Sequence, residues 1–319
     1  MRAEPIVVVF AVLIAWVGLA AGGRSAVAQE MLKVSVPQHG SWDTGISELG
    51  QRAGIFKRHG LVLDILYTEG GAESQQAVIG GSMDIAVGVG VGSVLSAFSK
   101  GAPVRVIGGE MIGSPNQFWY VPAASPIRTV GDLAGKTVGY SVTGSSSHLA
   151  LLELLRQYQV AAKPTATGGM PGTLTAAMSG QVDVGWGSAP FGLDLVDQGK
   201  IRVIARGADI AVLNERTVRW NITNLDMLAK RRDALRRYLQ AYRETIDWMY
   251  GEAAALDLYA DYAKLPVAQV RNVRDYIPKT SVDPRRIAGM NEIIADAVQL
   301  KFIAAPLNEA QTKELVQVP

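Results

Sequence analysis

Hydrophobic and polar positions follow the same order in two stretches of this chain. Residues 70–109 and 168–207 each run from Gly-Gly through a short helical pattern to Gly-x-x-Asp, an apolar strand, a Gly/Ser-rich turn and a second helix. The Gly-x-x-Asp phrases read "GSMDIAVGV" (81–89) and "GQVDVGWGS" (180–188). Both stretches close on a further apolar strand, "VRVIGG" and "IRVIARG". The shared order predicts that one arrangement of strands and helices is built twice.

The likeness extends upstream of the two phrases. Residues 33–56 and 136–160 share a lysine, an apolar strand, a polar turn containing glycine, and a helix. We therefore expect 33–109 and 136–207 to be two versions of one β-α-β-α-β-α-β unit. Short apolar strands that alternate with helices are typical of parallel sheets covered on both faces. Two such lobes predict a crevice between them, and ligands of open α/β sheets bind outside the carboxyl ends of the strands.

Four turns at those strand ends are the candidate ligand contacts: 37–44 and 88–93 in the first unit, and 141–147 and 186–190 in the second. Their residues are small, hydroxyl-bearing or aromatic rather than strongly charged. The turn "TGSSS" (143–147) directly precedes an apolar-periodic helix, and the first turn of a helix offers free N–H donors and a positive dipole end to an anion. One serine is enough to cap a helix, so capping and ligand contact both stay open for this turn.

The first 28 residues have the pattern of a secretory signal peptide. Arg2 precedes the apolar run 6–21, and "AVA" (26–28) provides the small-residue cleavage site, so we expect cleavage after Ala28. The alternative is an uncleaved membrane anchor, but 16 apolar residues are few for a bilayer span. The chain contains no cysteine, hence no disulfide and no lipid-attachment site after the signal. These features predict a soluble protein in a bacterial periplasm.

Composition and charge argue against several function classes. Apolar residues make up 48% and charged residues 19% of the chain, which favours packed domains over disorder. The formal net charge is +2, which gives no support for nucleic-acid binding. The three histidines, His39, His59 and His148, show no metal-ligand spacing. No Gly-x-Ser-x-Gly elbow is present, and "GVGVG" (88–92) lacks the dinucleotide-binding spacing. We predict no catalytic residue, metal or cofactor.

With these features in place, the chain resembles the solute-binding proteins of ABC importers, in the nitrate, sulfonate and taurine branch that also includes binders of thiamine pyrimidine precursors. The likeness is carried, in order, by "GIFKRHGLVLDI" (54–65), "GSMDIAVGVG" (81–90), "SKGAPVRVIGG" (99–109), "VGDLAGKTVGYSVTGSSSHLALLELL" (130–155), "GQVDVGWGSAP" (180–190) and "VQLKFIAAPLNEAQTKELVQ" (298–317).

The resemblance implies an α/β fold of the two-lobed, type II periplasmic binding protein kind. Each lobe would be a mostly parallel sheet flanked by helices, with the ligand cleft between the lobes. Lobe one would comprise 29–113 and 208–319, including the C-terminal helices, and lobe two 114–207. The implied partners are a small-molecule ligand and an ABC permease in the inner membrane, with the protein itself a monomer.

The resemblance also implies a set of ligand-contacting positions at the turns and the first chain crossing: Trp42, Asp43, Thr44, Gly88, Val89, Gly90, Asn116, Trp119, Thr143, Gly144, Ser145, Ser146, Trp186, Ser188 and Ala189. Asp84 and Asp183, the aspartates of the repeated phrase, are expected to serve the turns before their strands rather than the ligand.

The predicted ligand is a small organic anion, sulfonate- or carboxylate-like, with an apolar body. Donors at a helix start favour an oxyanion, whereas indole side chains favour a ring or an alkyl chain. No arginine lies in the four turns, although Arg206 or Arg219 could supply positive charge from the second crossing. Asp43 would repel an anion, so a pyrimidine or other heteroaromatic vitamin precursor stays as the alternative. A periplasmic enzyme or sensor domain on the same scaffold is a third interpretation, which the lack of a nucleophile–base pair disfavours.

Overall fold

The computed structural model describes residues 29–319, so the predicted signal peptide lies outside the described residues. Within 29–319, no helix combines the length and the apolar character that a bilayer crossing requires.

The first sheet has five strands: β1 (Glu30–Pro37), β2 (Leu61–Thr68), β3 (Ile85–Gly90), β4 (Val104–Ile112) and β10 (Thr217–Asn224). Their order across the sheet is β2-β1-β3-β10-β4. β1 pairs in parallel with β2 and β3, whereas β10 is antiparallel to both of its neighbours. Every residue of β3 and β4 is buried, which explains their near-continuous apolar sequence, because a sheet covered on both faces has no solvent side.

The second sheet repeats this plan with β5 (Gln117–Pro122), β6 (Thr137–Tyr140), β7 (Lys163–Ala166), β8 (Gly185–Ser188) and β9 (Ile201–Arg206). β5 lies between β8 and β9 and is antiparallel to both. β6 pairs in parallel with β7, and a bridge between Val138 and Val184 joins β6 to the approach to β8. The combined order is β7-β6-β8-β5-β9, which matches the first sheet strand for strand and confirms the predicted duplication.

Helices cover both sheets: α1 (Ile46–Arg52), α2 (Ile55–Arg58), α3 (Gly71–Ile79), α4 (Val91–Ser99), α5 (Ser146–Gln157), α6 (Met170–Met178), α7 (Leu193–Asp197), α8 (Leu225–Gly251), α9 (Ala254–Ala263), α10 (Val267–Tyr276), α11 (Met290–Gln299) and α12 (Glu309–Leu315). The helices α8 to α12 follow the return of the chain to the first sheet. The long helix α8 packs on α1, where the Tyr238 hydroxyl and Ser47 Oγ are 2.8 Å apart.

The aspartate of each repeated phrase has the same structural role. Asp84 Oδ2 accepts a hydrogen bond from the Lys33 amide at the start of the first unit, and Asp183 Oδ2 accepts one from the Thr137 amide at the start of the second; both measure 2.8 Å. The glycine three residues earlier is left-handed in both units, with φ of 75° and 77°, just past the ends of α3 and α6. Glycine adopts this helix-terminating conformation without strain. These contacts tie each aspartate to the first strand of its unit, rather than to the turn before its own strand as expected.

The chain crosses between the sheets twice, from β4 to β5 and from β9 to β10. β5 follows the first unit in sequence but belongs to the second sheet, and β10 follows the second unit but belongs to the first. Each crossing strand therefore sits beside the third strand of the opposite unit, and both crossing strands begin at the boundary between the sheets.

Candidate functional site

A small cavity lies between the two sheets, at the carboxyl ends of their parallel strands. Its free volume is about 40 Å³, room for on the order of three water molecules at ~10–15 Å³ each. The space therefore suits a small polar head group. The lining residues come from both sheets: Pro37, Gln38, Gly70, Gly71, Ala72, Gly88, Gly90, Ser93, Gln117, Ser141, Ser145, Ser146, Ser147, Trp186, Ser188 and Arg219.

Three helices begin at this cavity, two from the first unit and one from the second. Gly70, Gly90 and Ser145 are the N-cap residues of α3, α4 and α5, and all three line the cavity. The first amides of a helix have no acceptor within it and carry the positive end of its dipole. Three such ends that converge on one enclosed space favour an anion there.

The three serines at the start of α5 all line the cavity, but their hydroxyls make different hydrogen bonds. Ser145 Oγ accepts from the His148 amide at 3.2 Å and so caps the helix. Ser147 Oγ accepts from the Ser141 amide at 3.0 Å and holds the turn. Ser146 Oγ instead accepts from Gln117 Nε2 at 2.9 Å, across from the crossing strand β5. Since one serine is enough for the cap, the other two serve the turn and the cavity wall.

Arg219, on the crossing strand β10, is the charged side chain that lines the cavity. It is held in a buried ion cluster: its Nη2 donates to Asp43 Oδ2 at 2.5 Å, and its Nε lies 2.8 Å from Glu110 Oε2. Asn116 extends the cluster, because its Nδ2 donates to Asp43 Oδ2 at 3.2 Å and to Ser188 Oγ at 2.9 Å. The cluster thus links both sheets beneath the cavity.

The protonation of Glu110 sets the net charge of this cluster. Burial raises the pKa of Glu110 to about 7; the Arg219 guanidinium opposes that rise and the Asp43 carboxylate adds to it. At neutral pH the single positive charge of Arg219 is therefore balanced by Asp43 and by a Glu110 carboxyl that is only partly ionised. The side chains around the cavity supply no net positive charge, so attraction for an anion has to come from the backbone amides of the helix starts.

Three lining side chains have buried polar atoms without a hydrogen-bond partner: Gln117 Oε1, Trp186 Nε1 and Arg219 Nε, the last of which faces the Glu110 carboxyl. Gln117 and Trp186 are less than 5% exposed. A buried polar atom that stays unpaired costs about 1–3 kcal/mol. A ligand oxygen that accepts from Trp186 Nε1 would recover that free energy for the indole, whereas Gln117 Oε1 needs a donor.

The structure brings six of the sequence-predicted contacts together around the cavity: Gly88, Gly90, Ser145, Ser146, Trp186 and Ser188. Asp43 and Asn116 lie one layer behind them in the ion cluster. Gly144 and Ala189 are buried at the lobe boundary, where the Gly144 carbonyl accepts from the Ser93 amide and the Ala189 amide donates to the Asn116 carbonyl, both at 2.9 Å.

The other predicted contacts lie away from the cavity lining. Trp42 is fully buried and packs edge-on against Tyr250 and Tyr259, with ring centroids 5.6 and 4.9 Å away. Trp119 is buried on β5, and its Nε1 donates to the Gly139 carbonyl at 3.2 Å. Thr44 Oγ1 donates to the Pro37 carbonyl, Val89 is fully buried, and Thr143 is exposed.

Several lining residues were not among the individually named contacts, although Pro37, Gln38, Ser93, Ser141 and Ser147 lie in the four candidate turns. Gln38 follows β1 in a left-handed conformation with φ of 62°, which is uncommon for a non-glycine residue. Gly70 and Gly71 form the Gly-Gly pair that opens the first repeat, so this repeated pair was the sequence signal that could have identified them as lining residues. Gln117 had no sequence signal. Of the two arginines considered, Arg219 lines the cavity, whereas Arg206 donates to the Tyr276 hydroxyl at 2.5 Å and lies over its ring.

Comparison with known proteins places this architecture. A family model described as NMT1/THI5 like matches residues 48–254. No curated protein matches the sequence significantly. Among solved structures, the alkanesulfonate-binding protein SsuA from Xanthomonas axonopodis pv. citri bound to MOPS aligns with a TM-score of 0.75 and 18% identity, over 92% of this chain and 100% of that one.

Two further solved structures show the range of proteins with this fold. The periplasmic aliphatic sulphonate binding protein SsuA from Escherichia coli aligns with a TM-score of 0.68 and 22% identity, over 88% of this chain and 91% of that one. The desulfurization enzyme DSZB aligns with a TM-score of 0.61 and 15% identity, over 89% of this chain and 96% of that one. The fold is that of the periplasmic binding proteins, and it also occurs in an enzyme.

Proposed function

Because this chain belongs to the NMT1/THI5-like family and has a two-lobed periplasmic binding protein fold, we propose that it is a solute-binding protein that delivers a small organic anion to an ABC importer. The observation that carries the proposal is the convergence of three helix N-termini, from both units, on one cavity of about 40 Å³. The solved sulfonate-binding proteins with the same fold support a sulfonate- or carboxylate-like head group.

The head group would be bound mainly by main-chain amides. Arg219 already balances Asp43 and part of the charge of Glu110, so it orients the ligand without adding a full positive charge. Trp186 offers an unpartnered N–H and an aromatic face on the same side chain, which suits an oxyanion joined to an apolar body.

The proposal extends to the organisation of the chain. Lobe one comprises 29–113 and 208–319, lobe two comprises 114–207, and the ligand binds where they meet. The mature protein begins after Ala28, acts in the periplasm as a monomer and docks on an inner-membrane permease. The signal-like N-terminal pattern and the periplasmic sulfonate-binding proteins of the same fold support this location.

The alternatives are less well supported. A heteroaromatic amine would need a free carboxylate, but Asp43 is buried and bonded to Arg219. An enzyme would need a general base, and the residues that line the cavity are glycine, alanine, proline, serine, glutamine, tryptophan and arginine. His148 stacks on Tyr140, with centroids 4.0 Å apart, and accepts the Gly144 amide. We propose a binding protein and not a catalyst.

The test is a ligand panel on purified 29–319, with thermal unfolding followed by calorimetric titration. 1-Propanesulfonate and butyrate represent the proposed class, and an aminopyrimidine represents the alternative. A ligand at 100 times its dissociation constant should stabilise the protein by about 2.7 kcal/mol. Stabilisation by the aminopyrimidine alone would replace the proposed ligand class, and chemical conversion of a ligand, followed by mass spectrometry, would identify an enzyme.

A further inference from the structure

Two glycines at the start of α4 lie against the turn that starts α5 in the other unit. The Ser93 amide donates to the Gly144 carbonyl at 2.9 Å, which fixes the two turns side by side. A Cβ added at Gly90 would lie 2.7 Å from Ser146 N and 2.8 Å from two backbone carbons of Ser145. A Cβ added at Gly92 would lie 2.9 Å from the Gly144 carbonyl oxygen and 2.5 Å from the Phe302 ring.

The backbone conformation requires glycine at neither position. Gly90 has φ of −60° and ψ of 134°, an extended conformation open to any residue. Gly92 lies inside α4, where glycine is about 1 kcal/mol less favourable than alanine. Close approach of the opposing turn is therefore the physical reason for glycine at Gly90, whereas at Gly92 the Phe302 ring of the same lobe is nearer than the turn. At Gly90 the obstacle is backbone, which no side-chain rotation relieves.

The contact also sets the geometry of the cavity. Gly90, Ser145 and Ser146 all line it, and they are the residues at which α4 and α5 begin. The separation of these residues decides whether the amides of both helix starts reach one head group. A side chain at 90 would hold the start of α5 away, because ordinary van der Waals contact for such a carbon begins near 3.4 Å.

We propose that Gly90 is a positioning residue that lets the two lobes close on the ligand, so that the helix starts of both units bind the same head group. This inference rests on the proposed function. It gives the "GVGVG" segment (88–92) a role in the contact between the lobes. Because the lobes of binding proteins move about their crossing segments, a side chain at 90 should be accommodated when the lobes separate. It should therefore penalise the closed form and spare the folding of each lobe.

The experiment compares Gly90→Ala with Gly251→Ala. Gly251 ends α8, has no heavy atom within 4 Å of its added Cβ and so reports the general effect of the substitution. The absence of cysteine in the chain permits spin labels at Lys57→Cys and Lys163→Cys, exposed positions in lobes one and two. Thermal unfolding without ligand, the interlobe distance distribution, and titration with 1-propanesulfonate are measured for each protein.

We expect Gly90→Ala to melt within about 1 °C of the control, to lengthen the interlobe distances, and to weaken 1-propanesulfonate binding at least tenfold. A loss of several degrees in the ligand-free melting temperature would overturn the proposal, because it would make Gly90 a rigid packing position. Unchanged distances together with unchanged affinity would overturn it as well.

The two proposals fail differently. A wild-type protein that binds no member of the anion panel contradicts the proposed function, while the ligand-free melting temperature and distances still decide the role of Gly90. If wild type and Gly90→Ala bind 1-propanesulfonate equally tightly, the result supports the proposed function and rejects the glycine inference.

Discussion

The buried carboxyl of Glu110 makes the stability of the protein depend on pH in a predictable direction. Glu110 lies on β4 beside Arg219 from β10, and its charge also interacts with Asp43 from the turn after β1 and with the Tyr242 hydroxyl from α8. The perturbation is Glu110→Gln, which keeps the shape of the side chain and removes its titration. Arg219 keeps Asp43 as its partner in the variant, so the cluster stays neutral at every pH near 7.

The magnitude follows from the raised pKa. Burial raises the pKa of Glu110 from 4.5 to about 7, so between these values the folded state holds a proton that the unfolded state has released. Stability from this group is fully present below pH 4.5 and is lost as pH rises through 7. A difference of 2.5 pKa units corresponds to roughly 3 kcal/mol at 1.36 kcal/mol per unit.

Urea unfolding of wild type and Glu110→Gln at several pH values from 4.5 to 8 is the assay. Other groups titrate in the same window. For example, burial lowers the pKa of His148 to about 4, so the contribution of His148 to the stability of the protein falls as pH falls. The difference between the two proteins cancels such contributions. We expect the wild type to lose roughly 3 kcal/mol relative to the variant between pH 4.5 and 8. Parallel pH profiles would show that Glu110 stays ionised and would refute the charge balance described for the cavity.

Two further predictions concern the repeat and the cavity wall. Asp84→Asn and Asp183→Asn remove the negative charge from equivalent hydrogen bonds to the first-strand amides, so each should lower the free energy of unfolding by about 1–2 kcal/mol in urea titrations; an effect confined to one of them would contradict the equivalence. Trp186→Phe removes an unpartnered N–H that lines the cavity, and the anion's dissociation constant should rise about fivefold in calorimetry. Trp220→Phe, which removes a buried unpartnered N–H outside the lining, is the matched control, and an equal loss in both variants would argue against ligand contact by Trp186.

Features that occur in both repeated units could be predicted from the sequence. Asp84 and Asp183 occur at matching places in two aligned units, and in both units the carboxylate accepts from a backbone amide of the first strand. The serines before α5 were predicted for a local reason, since capping and the helix dipole act within one turn of the chain.

The features that the sequence missed or left open depend on contacts between distant segments. Gln117 and Arg219 lie on β5 and β10, the crossing strands, which fall outside the two aligned units and pair with the sheet of the opposite unit. Trp42 lies in the turn after β1, which is why it was predicted to contact the ligand. It is instead packed against Tyr250 and Tyr259, which lie more than 200 positions later in the chain. Such contacts leave no periodic pattern in the sequence for local reasoning to detect.

The exchange of crossing strands has a consequence for synthesis of the chain. β3 and β4 are separated in the first sheet by β10, whose residues 217–224 are made only after the whole second unit. A ribosome-bound chain that has emerged as far as residue 206 can complete the second sheet but leaves a strand-wide gap in the first. The unit translated first is thus the last to finish folding, and during that interval its unpaired edges are the part of the nascent chain most open to aggregation.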